Sequence, residues 1–245
     1  GGGRSSGRET IGRVAAGAVA VKLLGQMGIE LYAYASAIGG IAMDRDSFNL
    51  EERDNNPFAM PDAGAALRIK KYADRKLEEC NSMGGIIECV VKNMPAGIGE
   101  PVFDKLDANL AKAIMSIGAV KGVEIGDGFA AADSTGLENN DAFRMKDGHI
   151  VKQTNHAGGI LGGMSDGSDI ILRVAVKPTP SIAATQHTVN KAGEEIDISI
   201  HGRHDPMIVP RAVVVVEAMT AITLVDMLFM GMTSRLDRIV DFYKR

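Results

Sequence analysis

The chain has 245 residues and a formal net charge of −4. That is enough for one large domain, and it excludes a nucleic-acid binder working by bulk basic charge. Cys80 and Cys89 are too few for a disulfide framework or a zinc site, so reduced thiols in a cytoplasmic setting are expected, and with aromatics at 4% and no Trp the core must be aliphatic.

The chain opens with GGGRSSGRET, glycine-rich and then polar, with Arg4 and Arg8 as cations and Ser5 and Ser6 as hydroxyls. From Arg8, apolar residues at steps of three or four (Ile11, Val14, Ala15, Ala18, Val21, Leu24) predict a helix that Gly25 and Gly28 end. A glycine loop feeding a helix N-terminus favours an anion, because free N–H groups and the helix dipole point at it. A flexible chain end is the plain alternative.

Ile29–Ile41 reads as a strand, and a second helix runs from Asp62, its N-cap, to Met83, with Gly84-Gly85 as the stop. Ile86–Val91 is the next strand, Leu106–Ile117 the third helix, and Val120, Val123 and Ile125 form a strand preceded by Gly118 and Ala119. Asp104 and Asp107 favour the N-terminus of that third helix. Ala130–Lys146 reads as a polar, mobile excursion, and Asn155–Gly163 (NHAGGILGG) as a second glycine loop. Ile170–Val176 is a strand, Lys177–Ser181 (KPTPS) a rigid exit from it, and Glu194–Ile200 a half-exposed strand by its acidic–apolar alternation.

Gly202–Arg211, GRHDPMIVPR, sets a guanidinium (Arg203), an imidazole (His204) and a carboxylate (Asp205) side by side, stiffened by Pro206 and Pro210. That is the make-up of a preorganised site. It also suits a polar loop in which Asp205 caps a helix and Pro206 sits in its first turn. The apolar run Ala212–Met232 has the length of a membrane span. Glu217 and Asp226 lie within it, and each would cost about 2.5–3.5 kcal/mol at bilayer depth. A helix inside a soluble core accounts for the run better, and no membrane partner is expected. The alternation of strands and helices predicts a layered α/β fold, a single domain over 1–245.

No dinucleotide or Walker fingerprint fits, and the five histidines lack metal-ligand spacing, so no metal is expected. His149 and His187 read as surface residues, whereas His156 stands inside a glycine loop. RSSGR, the glycine-edged strand at Gly118, NHAGGILGG with KPTPS, and GRHDP each offer amides, hydroxyls or cations. Converging on one cavity they would bind something flat and polyanionic, but spacing alone does not show that they converge.

Five blocks in order, GGGRSSGRET, GEPVFDKLDANLAKAIMSIGAVKGVEIGDGF, NHAGGILGG, KPTPSI and GRHDPMIVPRAVVVVEAM, resemble the chorismate synthase family from Gly1 to about Asp226. The resemblance implies a β-α-β sandwich, a usually homotetrameric cytoplasmic assembly, and a lyase of the shikimate pathway. That lyase converts 5-enolpyruvylshikimate 3-phosphate to chorismate and phosphate by 1,4-anti elimination. The reaction needs reduced FMN without net redox change, and some members reduce the flavin with NADPH. Carried over residue by residue, flavin contacts fall on Arg4, Ser5, Ser6, Gly118, Ala119, Gly162, Lys177, Pro178, Thr179, Pro180, Ser181 and Arg203. Substrate contacts fall on Ser6, Gly7, Arg8 and Arg203, and Asp205 matches the family's catalytic aspartate.

Gly7 stands where the family more often has Ala, and Met207 where it more often has Cys; both departures are mild. The family also carries a further N-terminal segment with GESHG-like and RPGHAD-like motifs. The chain resembles the C-terminal two thirds, so these 245 residues by themselves are expected to be weakly active or inactive. A non-catalytic anion- or flavin-binding module is the main rival reading. A phosphotransferase using RSSGR as a phosphate cradle lacks a recognisable magnesium ligand pair.

Overall fold

The computed structural model describes residues 6–200 and 205–244. The helices and strands of the first half are α1 (Thr10–Gln26), β1 (Glu30–Ile38), β2 (Ile41–Ala42), α2 (Glu52–Asn55), α3 (Ala63–Glu78), β3 (Gly85–Lys92), α4 (Leu106–Met115) and β4 (Val120–Ile125). Then follow α5 (Gly136–Asn139), β5 (Phe143–Lys146), β6 (His149–Lys152), β7 (Ile160–Leu161), β8 (Met164–Ser165), β9 (Ile170–Val176), β10 (Gln186–Val189), β11 (Glu195–Ile198), α6 (Val209–Met232) and α7 (Leu236–Tyr243). Five strands form one sheet in the order β2-β1-β3-β9-β4, and the remaining six make three hairpins, β5–β6, β7–β8 and β10–β11. The fold is α/β, as its alternating elements require.

The chain divides into two compact units, one of residues 1–33, 88–174 and 214–245, the other of residues 34–87 and 175–213. In the first, α4 turns Leu106, Leu110 and Ile114 inward, one per helical turn, and all three are fully buried. Helices α1 and α6 approach closely at Gly17, where a Cβ would lie 2.3 Å from that of Ala218. Helix α6 is long and apolar enough to cross a membrane by length and composition. It nevertheless buries Val216, Ala218, Ala221, Leu224 and Met227, and Glu217 accepts a hydrogen bond from the Ala33 N–H at 3.0 Å. A satisfied carboxylate on a helix with one well-buried face is how a core element behaves.

In the second unit, buried Asp62 caps α3 as expected, accepting from the Ala65 N–H at 3.0 Å and from Asp44 N–H at 3.0 Å. Burial alone would raise its carboxyl pKa, but the hydrogen bonds from Asp44, Ala65 and Gly64 and the nearby Arg68 lower it on balance. Helix α3 stops at Glu78, well short of Met83. Cys80 takes the left-handed conformation (φ 53°), and the Asn81 N–H reaches back to the Lys76 carbonyl, so a cysteine does the work of a C-terminal glycine. Likewise the strand read through to Ile41 breaks at Gly39-Gly40, both at positive φ, and returns as β2.

Ala130–Lys146 is more structured than its composition suggests, with a 3-10 turn, α5 closed by a Thr135–Glu138 capping box, and β5. The Glu194–Ile200 segment supplies β11, but its residues are exposed on both faces instead of alternately buried. Asp205 is not a helix cap: α6 starts at Val209, and Pro210 is the proline in its first turn.

Candidate functional site

Arg4, Ser5, Arg203 and His204 lie outside the described residues. The remaining candidates fall in both units.

In the first unit the front segment is a capped turn. The Ser6 Oγ accepts from the Arg8 N–H at 3.3 Å, over a single 3-10 turn (Gly7–Glu9) that runs into α1. Arg8 is exposed there. One turn into α1, the Arg13 guanidinium bonds Glu9 at 2.8 Å and then donates to the Ser116 Oγ at 2.6 Å and the Ser116 carbonyl at 3.3 Å. Ser116 adjoins a turn closed by Val120 N–H donating to the Ile117 carbonyl, with Gly118 and Ala119 at its centre. Ala119 has φ 72°, a conformation glycine normally takes, so this turn holds local strain. Arg13 therefore ties together two candidate segments that sequence spacing leaves unconnected.

Gly162 and Gly163, both at positive φ, form the two-residue turn of the β7–β8 hairpin. A Cβ on Gly163 would strike the Lys105 side chain at 2.4 Å, whereas one on Gly162 would meet nothing within 4 Å among the described residues. The hairpin is clamped from behind by buried Ser165, whose Oγ donates to the Pro95 carbonyl at 2.5 Å and accepts from Ile98 N–H at 2.9 Å.

In the second unit the turn after α3 gathers two distant segments. The Ser82 hydroxyl donates to the Thr179 carbonyl at 2.6 Å, Ala184 N–H donates to the Cys80 carbonyl at 3.2 Å, and Met83 N–H to the Pro206 carbonyl at 2.8 Å. Between them lies a cleft lined by Cys80, Ser82, Ser181, Asp205 and Pro206, among others. Ser181 of KPTPS and Asp205 of GRHDP thus border one hollow. Lys177, Pro178 and Pro180 are exposed beside it in sequence, and the Thr179 hydroxyl is buried with no hydrogen-bond partner among the described residues. Asp205 meets Arg211 of the first turn of α6 in a two-pronged ion pair, at 2.8 and 3.1 Å.

His149 and His187 are exposed, as their surroundings in sequence suggested, and His187 pairs with Asp197 across a hairpin. His156 sets its Nδ1 2.6 Å from Asp127. Both thiols are free. Cys80 is exposed, while burial pushes the Cys89 thiol up to about 12, with Glu217 and Glu88 adding to the rise and the Thr220 hydroxyl opposing it.

One charged group escaped the sequence reading altogether. Lys152, 4% exposed, lies between Asp141 at 3.2 Å and Asp166 at 2.5 Å. Asp141 also receives the Thr154 hydroxyl and the His156 and Ala157 N–H groups of the glycine loop. Only the sign pattern around Lys152 could have hinted at it, and that pattern is common on exposed hairpins.

Comparison with known proteins supplies the rest. The sequence pattern of the family described as "Chorismate synthase" matches residues 1–229. The chain belongs to the chorismate synthase family. It is 66% identical, over its whole length, to 67% of a chorismate synthase of Lachnospira eligens, and 64% identical on the same coverage to one of Agathobacter rectalis. A chorismate synthase of Archaeoglobus fulgidus is 53% identical over 96% of the chain and 66% of the relative. A solved structure described as "Crystal Structure of Chorismate Synthase" superposes with a TM-score of 0.77 at 30% identity, covering 98% of this chain and 68% of that one. The chain is accordingly an enzyme of this family, with a lyase role in chorismate formation.

Proposed function

We propose that the chain carries out a 1,4-anti elimination of phosphate from 5-enolpyruvylshikimate 3-phosphate, with reduced FMN as the required cofactor. In this reading the carbon–oxygen bond to phosphate breaks, a ring proton is lost, and a new double bond forms with no net redox change. The observation that supports it most is the cleft in which Ser181 and Asp205 meet, since one comes from the flavin-binding set and the other is the catalytic candidate.

The residues fit a flavin mononucleotide. Among the described residues, the buried Thr179 hydroxyl has no hydrogen-bond partner and Gly162 offers open backbone, and the strained turn at Ala119 is the kind of geometry that persists at ligand sites. Ser6, Gly118, Ala119, Gly162 and Lys177–Ser181, together with Arg4, Ser5 and Arg203, would hold it. When bound, the reduced flavin supplies electron density that makes the carbon–oxygen cleavage accessible. The chain's own groups do the remainder. Arg8 and Arg203 neutralise the substrate's phosphate and carboxylates, and the amides at Ser6 and Gly7, before α1, add donors. Asp205 handles the proton, with Arg211 fixing its carboxylate. A cytoplasmic homotetramer completes the proposal, with either NADPH or an external reductant reducing the flavin.

The test is anaerobic chorismate formation with reduced FMN. The 245-residue polypeptide is compared with one extended by the N-terminal third of the Lachnospira eligens relative. We expect the longer polypeptide to be faster by at least ~10²-fold, the scale of one proton-transfer group. FMN binding by both with elimination by neither would favour the non-catalytic module.

A further inference from the structure

We propose that Asp141 is a positioning residue for the glycine loop, acting directly on the His156 and Ala157 amides and also through Lys152 to fix the backbone that presents Gly162. The inference rests on the flavin reading of Gly162 given above. A carboxylate has about four lone-pair sites, and Asp141 fills them all. Its Oδ1 receives the His156 N–H at 2.7 Å and the Thr154 hydroxyl at 2.8 Å, and its Oδ2 receives the Ala157 N–H at 3.1 Å and the Lys152 ammonium at 3.2 Å. Two consecutive loop amides are therefore pinned by one side chain that is 4% exposed.

Lys152 extends the hold. It reaches Asp166 at 2.5 Å, and the Asp166 N–H donates to the Gly159 carbonyl at 3.0 Å, halfway along the loop. Asn155 closes the same loop from inside, accepting from Gly159 N–H at 2.9 Å and donating to the Asp169 carbonyl at 2.8 Å. Beyond these anchors come Ile160, buried, and then the open turn at Gly162. Buried charges are a costly way to gain stability when apolar packing would serve, so their use here points to geometry. The excursion 130–146 thus serves the glycine loop by delivering Asp141 to its start.

The experiment uses Asp141→Asn, which keeps the shape but replaces an acceptor oxygen with a donor facing Ala157 and Lys152. Thr154→Val is the milder variant, removing one of the four bonds, and Gly162→Asn is the control, since asparagine tolerates a positive φ. Amide exchange and FMN titration are measured for each. We expect Asp141→Asn to speed exchange of the 156–162 amides at least tenfold more than those of α4 and β9, and to weaken FMN binding about tenfold. Thr154→Val should do the same at about threefold. Unchanged loop exchange, or unchanged FMN affinity alongside weakened binding in Gly162→Asn, overturns the inference and leaves the flavin reading standing. Exchange that speeds by the same factor throughout the protein, with no excess at residues 156–162, makes Asp141 merely structural and overturns it too. Unchanged FMN affinity in Gly162→Asn removes the flavin reading of the loop, and the inference with it.

Discussion

Asp205 and Arg211, six positions apart, are joined by a two-pronged ion pair, at 2.8 and 3.1 Å, across the segment that leads into α6. Arg211 is 72% exposed and Asp205 36%, so the pair adds little to stability. Its consequence is orientation. The planar guanidinium fixes the plane of the carboxylate, and that carboxylate lines the cleft shared with Ser181.

Asp205→Asn should therefore lower turnover by ~10²–10⁴-fold, the range of a positioned proton-transfer group, while FMN affinity stays within a few-fold. Arg211→Met should lower turnover less, about tenfold, with the thermal midpoint almost unmoved. Steady-state kinetics with reduced FMN and a flavin titration check both. Wild-type turnover in Asp205→Asn would remove the residue from the mechanism.

The helix contact at Gly17 gives a paired stability test. A Cβ there would sit 2.3 Å from the Ala218 Cβ and 2.6 Å from its Cα, so two backbones must part. Gly17→Ala should destabilise by about 1–3 kcal/mol through overpacking. Gly12, on the same helix with nothing within 4 Å, should behave oppositely. Gly12→Ala should stabilise by about 0.5–1 kcal/mol, because alanine loses less backbone entropy in a helix. Urea unfolding of both variants decides it, and equal effects of one sign would show that the α1–α6 contact is loose.

These contrasts show what local sequence carries and what it does not. Strands β3, β4 and β9 were legible within a residue or two because short segments rich in Val and Ile between glycines and helices leave few other options, and Asp62 was legible as a cap because its side chain answers a neighbouring amide. The end of α3 was not, since Cys80 occupies a position where glycine is the usual cue. The Arg13–Ser116 bridge and the Asp141–Lys152–Asp166 group join residues that only the tertiary fold brings together, so no spacing rule could find them. Of the candidate site, the chemistry of each segment was readable and its neighbours were not: nothing near Asp205 or Ser181 in sequence announces the turn at Cys80–Met83 that gathers them.

The two thiols should separate cleanly. Cys80 is exposed, whereas Cys89 is fully buried with its thiol pushed up to about 12, so it stays protonated and unreactive at neutral pH. A disulfide-exchange reagent at pH 8 should label one thiol per folded chain and two in denaturant. Cys80→Ser should abolish the native-state reaction. Rapid labelling of both thiols without denaturant would mean that the sheet opens readily around its central strand β3.

Acid should act most strongly through Asp141. Burial raises its carboxyl pKa, but the hydrogen bonds from Ala157, His156, Thr154 and Lys152 together outweigh that and bring it from 3.8 to about 2. A folded-state pKa below the unfolded one means that the unfolded chain binds the proton more readily. The contribution is then complete above about pH 4 and disappears as pH falls through about 2. Its size is at most about 2.5 kcal/mol. Asp62 and Asp166 are also lowered and shift stability in the same direction. The thermal midpoint should hold steady from pH 7 to pH 5 on this account and fall below pH 4, with a shallower fall in Asp141→Asn, which starts from a lower midpoint. Parallel wild-type and Asp141→Asn curves between pH 4 and pH 2 would show that the carboxylate is not held by the bonds that join it to the glycine loop.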